Sequence, residues 1–137
     1  MAYEKEIASV PLFSALEDAD LNRMGKVVVP RQFAKGHAIV NEGEQAVAFY
    51  IILKGSVEVR KGSTPLATKK SGESFGEMAL LDGFPRSTTV VALEDTECLV
   101  MTRWDFTAEL RINPSIALAM LPVLSKMVRR LEGENIP

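Results

Sequence analysis

The sequence predicts a mainly β chain, a small antiparallel barrel or jelly roll with helical segments before and after it. Three observations point there. From Arg31 to Thr102 apolar residues recur with period two, and Gly36, Gly43, Gly55, Gly62, Gly72, Gly76 and Gly83 punctuate that stretch as turns. Outside it, on both sides, apolar residues return to helical spacing.

Taken in chain order, Glu4 to Val10 is predicted as a first short helix, stopped by Pro11. Asp18 is predicted to cap a second that runs through Leu21, Met24 and Val27, with Pro30 ending the helical region. Phe49–Leu53, Val57–Arg60 and Thr89–Leu93 are predicted strands. Val57 and Val59 alternate with Glu58 and Arg60, as in a strand that buries one face. Thr102 and Asp105 form a capping pair for a helix over Arg103–Arg111. Asn113-Pro114 then opens a longer helix, with Pro114 at a tolerated early position. Along it Ile116, Met120, Leu124, Met127 and Leu131 make one apolar stripe, and Ala117, Leu121 and Val128 a second beside it. That width fits packing on the barrel, or a seam with a second copy of the chain. Pro122 is expected to kink this helix.

Composition bounds the function. The chain has 137 residues, 47% apolar and 25% charged, which suits one compact domain over 1–137. Its net charge of -2 gives no electrostatic grip on nucleic acid. The basic pairs Lys69-Lys70 and Arg129-Arg130 are expected to be solvated patches. Cys98 is the only cysteine and His37 the only histidine. No internal disulfide can form, and neither a cysteine- or histidine-rich metal site nor a Ser/His/Asp triad is expected. Cys98 sits in a predicted strand and is expected to be a structural thiol, while His37 falls in a turn. The N-terminus lacks an apolar signal core and no apolar run reaches membrane-spanning length, so a cytoplasmic, membrane-free setting is the expectation.

The chemistry is concentrated in Phe75-Gly-Glu-Met-Ala-Leu-Leu-Asp-Gly-Phe-Pro-Arg-Ser-Thr-Thr-Val90. Gly76 stands at the mouth of a very short helix, where backbone N–H groups suit an anion and a missing side chain permits close approach. Glu77 can accept a hydrogen bond from a hydroxyl. Arg86 can clamp a phosphate through two parallel charge-assisted bonds, with Ser87 and Thr88 adding donors beside it. Alternatively, Glu77 and Arg86 simply form an ion pair that stitches a loop to the barrel. On residue types alone the ion pair is the commoner arrangement, since acid-plus-arginine pairs are frequent.

This segment resembles the phosphate-binding cassette of the cyclic-nucleotide-binding domain family, F-G-E-x-A-L followed by P-R-(A/S)-A-(T/S)-V. Upstream, Phe33-Ala-Lys-Gly36, Glu42-Gly43, Phe49-Tyr-Ile-Ile52 and Lys54-Gly-Ser-Val57 look like the family's early strands. Val10-Pro-Leu-Phe-Ser14 and Arg111-Ile-Asn-Pro114 are similar to its helical segments. The resemblance implies a double-stranded β-helix of eight strands. It implies that Glu77 accepts from the ribose 2′-hydroxyl and that Arg86 pairs with the cyclic phosphate. It further implies that Gly76, Ala79 and Ser87 supply donors or close approach, and that Met78, Leu80 and Thr88 line the same turn. Leu66 and Ala67 would face the base, and Arg130, Leu131, Glu134 and Asn135 would come from a closing C-terminal helix. Thr88 stands where the family most often has alanine. Only six residues follow Leu131, which leaves no room for the helix-turn-helix of the bacterial regulators, so this chain is not expected to read DNA itself.

The expected function is therefore a non-catalytic cyclic nucleotide sensor, cAMP favoured over cGMP, that needs no cofactor or metal. A homodimer through the C-terminal helix and an effector beyond this chain are its expected partners. The alternative is a nucleotide-free interaction module on the same fold. The single cysteine and histidine disfavour family members that sense haem or iron–sulfur clusters, and no base–nucleophile pair suggests an enzyme.

Overall fold

The computed structural model describes residues 3–135. They fall into two compact units, the described parts of Met1–Lys26 and Thr107–Pro137 forming one and Val27–Phe106 the other.

The larger unit is the β structure. Its strands are β1 (Val29–Phe33), β2 (Ala38–Val40), β3 (Ala48–Lys54), β4 (Ser56–Lys61), β5 (Thr64–Lys70), β6 (Ser74–Phe75), β7 (Thr89–Ala92) and β8 (Thr96–Thr102). They build two four-stranded antiparallel sheets, ordered β1-β8-β3-β6 and β2-β7-β4-β5, the jelly roll that the sequence predicts, with the eight strands that the family resemblance implies. Val40, Ile52, Val57, Phe75, Val90 and Cys98 are buried together between them, with Phe33, Ile39, Tyr50 and Val59 packed against that cluster. The helical region ends sooner than expected, because β1 already begins at Val29 and contains Pro30. A proline is tolerated there since β1 is a sheet edge, where one missing N–H leaves no ladder bond broken on the open side.

Cys98 is fully buried, and loss of solvation, with Glu97 adding to it, pushes its thiol up to about 12 from an ordinary 9.0. The structural role holds. The native thiol should resist alkylation and react with a disulfide reagent only at the rate of unfolding. Between about pH 9 and 12 the unfolded chain binds fewer protons at this site than the folded one, so stability should fall as pH rises through that window. Denaturant melts of native protein and Cys98→Ala between pH 8 and 10.5 check this, the decline being shallower in the variant.

The other unit is helical. It holds α1 (Glu4–Ala8), a 3-10 turn over Pro11–Phe13 and α2 (Asp18–Gly25). Helix α4 (Arg103–Ile112) runs into it from the β unit, and α5 (Ser115–Leu131) follows; a four-residue α3 (Met78–Leu81) belongs to the β unit. Pro11 starts the 3-10 turn rather than merely ending α1, using its fixed φ and expendable N–H at a first position. Asp18 is not a cap: Glu17 occupies that position without a side-chain bond, and Asp18 lies in the first turn, where its charge faces the positive helix end. Thr102 does cap α4, its hydroxyl accepting from the Asp105 N–H at 3.2 Å. Ile7, Leu12, Phe13, Met24, Ile116 and Met120 are buried. Buried Asp20 accepts from Arg23 Nη1 at 2.9 Å and from Ser115 Oγ at 3.0 Å, tying the start of α5 to α2. Pro122 lies within α5, where it has no N–H to donate to the Leu118 carbonyl. Among the described residues no helix is long and apolar enough to cross a membrane.

Candidate functional site

The segment 75–90 lies wholly in the β unit and lines a cavity of about 270 Å³. A second cavity of about 160 Å³ shares Gly76, Glu77, Arg86 and Thr88 with it and continues toward Val40, Val59 and Val90. Each volume is below the roughly 300–1,000 Å³ of ligand pockets, and the two cavities adjoin through the four residues they share.

Strand β6 ends at Phe75, and the chain turns at Gly76 with φ +84°, a conformation that side chains rarely adopt. Glu77 follows at the start of α3. A Cβ at Gly76 would stand 2.6 Å from Arg86 Nη1, so the glycine is what lets the guanidinium come this close. Arg86 is delivered from the other side by the loop after α3. Its Nη2 donates to the Ala48 carbonyl at 2.5 Å, and its Cζ lies 6.0 Å from the centroid of the Tyr50 ring. Tyr50 in turn stacks on Phe75, with ring centroids 4.9 Å apart and planes 10° apart. Burial pulls the guanidinium below its ordinary pKa, Tyr50 opposing it, and burial pushes the Tyr50 hydroxyl up. An arginine so shifted remains a cation at neutral pH.

Glu77 and Arg86 do not form the ion pair that the sequence left open. Among the described residues no salt bridge joins them, and buried Glu77 Oε2 has no hydrogen-bond partner. A half-buried cation without a carboxylate, beside an unsatisfied carboxylate oxygen, is costly in an empty protein. It suits a ligand carrying both an anionic group and a hydroxyl.

The other sequence-predicted residues divide. Met78, Ala79, Ser87 and Thr88 line the first cavity, and Thr88 lines both. The Ala79 and Leu80 N–H groups already donate to Gly76 O at 3.0 Å and Glu77 O at 3.1 Å. Leu80 is buried and lines neither cavity. Leu66 is the extra residue of a bulge between the Val59–Ala67 and Arg60–Pro65 pairs, and more than half exposed. Ala67, opposite Val59, is exposed too, and neither residue lines the two cavities. Arg130 and Glu134 belong to the helical unit; both are exposed, and Glu134 pairs with Arg129 at 2.9 Å.

Three contributors escaped the sequence. The Ala48 carbonyl and the Tyr50 ring hold Arg86 from β3, and no local pattern announces either. Lys69, expected in a solvated patch, is half-buried and lines the second cavity with Glu77, Arg86 and Thr88. Its ladder partner Val57 is fully buried, which places Lys69 over the barrel interior.

Comparison with known proteins agrees with this geometry. The family model described as the cyclic nucleotide-binding domain matches residues 30–113, more than half of the chain. A cAMP-dependent protein kinase regulatory subunit of Mycosarcoma maydis is 36% identical over 69% of this chain and 19% of its own length. A cGMP-dependent protein kinase of Eimeria tenella is 38% identical over 71% of this chain and 10% of its own length. This chain thus spans a fifth or less of these two relatives. Among solved structures, the N-terminal domain of a transcriptional regulator from Streptomyces coelicolor A3(2) superposes with a TM-score of 0.85 at 26% identity, covering 93% of this chain and 92% of that one.

Proposed function

Because this chain belongs to the cyclic-nucleotide-binding domain family, we propose that it is a sensor that binds cAMP in preference to cGMP and catalyses nothing. The observation that carries this is the unpaired couple in one cavity: the Arg86 cation without a carboxylate, and Glu77 Oε2 without a donor. Arg86 takes the cyclic phosphate and Glu77 the ribose 2′-hydroxyl. Gly76, Met78, Ala79, Leu80, Ser87 and Thr88 shape the turn around them. The base end is supported by the apolar walls Val40, Val59, Phe75 and Val90. Leu66, Ala67, Arg130 and Glu134 remain proposed base contacts in the bound form.

Residues 1–137 act as one regulatory module in a cytoplasmic setting. Ligand shifts the position of α5, which requires that cyclic nucleotide bind one arrangement of that helix better than the other. Leu118, Leu121, Val128 and Leu131 are each more than half exposed on α5 and are the proposed seam of a homodimer. An effector beyond this chain receives the signal.

Glu77 gives the test. Glu77→Gln keeps the size of the side chain and loses the charge that strengthens its bond to a hydroxyl, so the affinity for cAMP should drop about tenfold. Affinity for 2′-deoxy-cAMP should be the same in native protein and variant. Equal losses for both ligands would remove the 2′-hydroxyl from Glu77.

A further inference from the structure

The segment from Gly43 to Ala48 grips the loop that carries Arg86. Gly43 N–H donates to Arg86 O at 2.9 Å, and Arg86 N–H donates to Glu44 O at 2.8 Å. Arg86 Nη2 reaches the Ala48 carbonyl. Those bonds use the main chain of residues 43–48 and no side chain of that segment. Gln45 differs. Its side-chain amide donates to Gly83 O at 2.6 Å, across 38 residues of sequence.

Gly83 is the far end of the loop, with only Phe84 and Pro85 between it and Arg86. It is buried, at φ +67°, and a Cβ there would meet Arg103 Nε at 2.9 Å. Phe84 N–H closes a turn on Asp82 Oδ1 at 2.9 Å, while the Phe84 side chain is largely exposed. The loop is therefore fixed at Arg86 by main-chain bonds and at Gly83 by the Gln45 amide and the Arg103 side chain beneath it. Proline at position 85 makes the link between these two ends stiff. A displacement at Gly83 is passed to Arg86 rather than absorbed.

The geometry points to Gln45 as a positioning residue: its amide, holding the Gly83 carbonyl, sets where Arg86 meets the anionic group of the ligand. This rests on cyclic nucleotide binding at Arg86. Gln45 touches no part of that site's charge itself, so its effect must run through the loop.

The test uses the full chain, with cAMP as probe, in calorimetric titrations of native protein, Gln45→Ala, Gln45→Met and Arg86→Lys, and of Gln45→Met combined with Arg86→Lys. Methionine keeps the length of glutamine and discards the amide, so a loss shared by both Gln45 variants belongs to the hydrogen bond. The bond is present with and without ligand, so losing it lowers the melting temperature of both variants by a few degrees; affinity falls by the cost of returning the freed loop to the ligand, up to the worth of that one bond, about three- to tenfold. In the Arg86→Lys background the same substitution should cost less than about twofold, because neighbours acting through one group are not additive. Native affinity in both Gln45 variants would overturn the proposal, as would an equal loss in both Arg86 backgrounds. Failure of native protein to bind cAMP or cGMP would instead overturn nucleotide binding itself, and the role of Gln45 with it.

Discussion

Replacing Arg86 by alanine should weaken cAMP binding by at least about thirtyfold while leaving the melting temperature nearly unchanged. The two effects separate for a physical reason. In the bound state a half-buried guanidinium faces a phosphate, and truncating one partner of such a desolvated, hydrogen-bonded charge pair costs about 2–5 kcal/mol. In the empty protein the guanidinium meets the Ala48 carbonyl and the Tyr50 ring, and among the described residues no carboxylate pairs with it. Losing that bond costs about 1 kcal/mol, and losing a desolvated cation with no counter-charge returns a similar amount. A native melting temperature with affinity gone marks a group kept for its ligand. Collapse of the fold in Arg86→Ala would mean that its bond to Ala48 holds the loop in place for stability. Titration and thermal melting of the same preparation distinguish the two.

Gly76→Ala should give the second large effect, at least about a tenfold loss of affinity together with a measurable loss of stability. Two costs combine. At φ +84° an alanine pays roughly 1–2 kcal/mol of backbone strain. Its Cβ would also fall 2.6 Å from Arg86 Nη1, so the guanidinium must move off the place where it meets the phosphate. Unlike Arg86→Ala, this variant changes both readouts. A Gly76→Ala protein that bound cAMP as tightly as the native chain would show that Arg86 has other productive positions.

Much of this site was legible because it is contiguous. The Phe75–Leu80 and Pro85–Val90 runs lie within sixteen residues, so Gly76, Glu77 and Arg86 stand in one readable segment, and its resemblance to the phosphate-binding cassette is what assigns them to a ligand. What stayed hidden depends on strands meeting far apart in sequence. Ala48, Tyr50 and Gln45 reach the loop from 36 to 38 residues away, and a carbonyl or an amide leaves no pattern to read. Lys69 reads as solvated because it stands in a Lys69-Lys70 pair at the strand's end, after a bulge at Leu66 that breaks the alternation, while its register against Val57 is a tertiary fact. Pro30 was read as a stop because edge position, which makes proline acceptable in a strand, is a property of topology. The stripe on α5 was visible, but its cover was not: Ile116 and Met120 are buried, whereas Leu121, Val128 and Leu131 are exposed.

The most direct measurement is calorimetric titration of nucleotide-stripped native protein with cAMP and with cGMP, accompanied by thermal melts at saturating ligand. Nucleotide binding predicts one site per chain, tighter for cAMP, and a melting temperature raised by several degrees, since a ligand at a hundred times its Kd stabilises the folded state by about 2.7 kcal/mol. A folded native chain that gives no heat and no melting shift with either nucleotide would contradict it. Glu77 and Arg86 would then serve a different anion, or the fold would act as a nucleotide-free interaction module through the exposed face of α5.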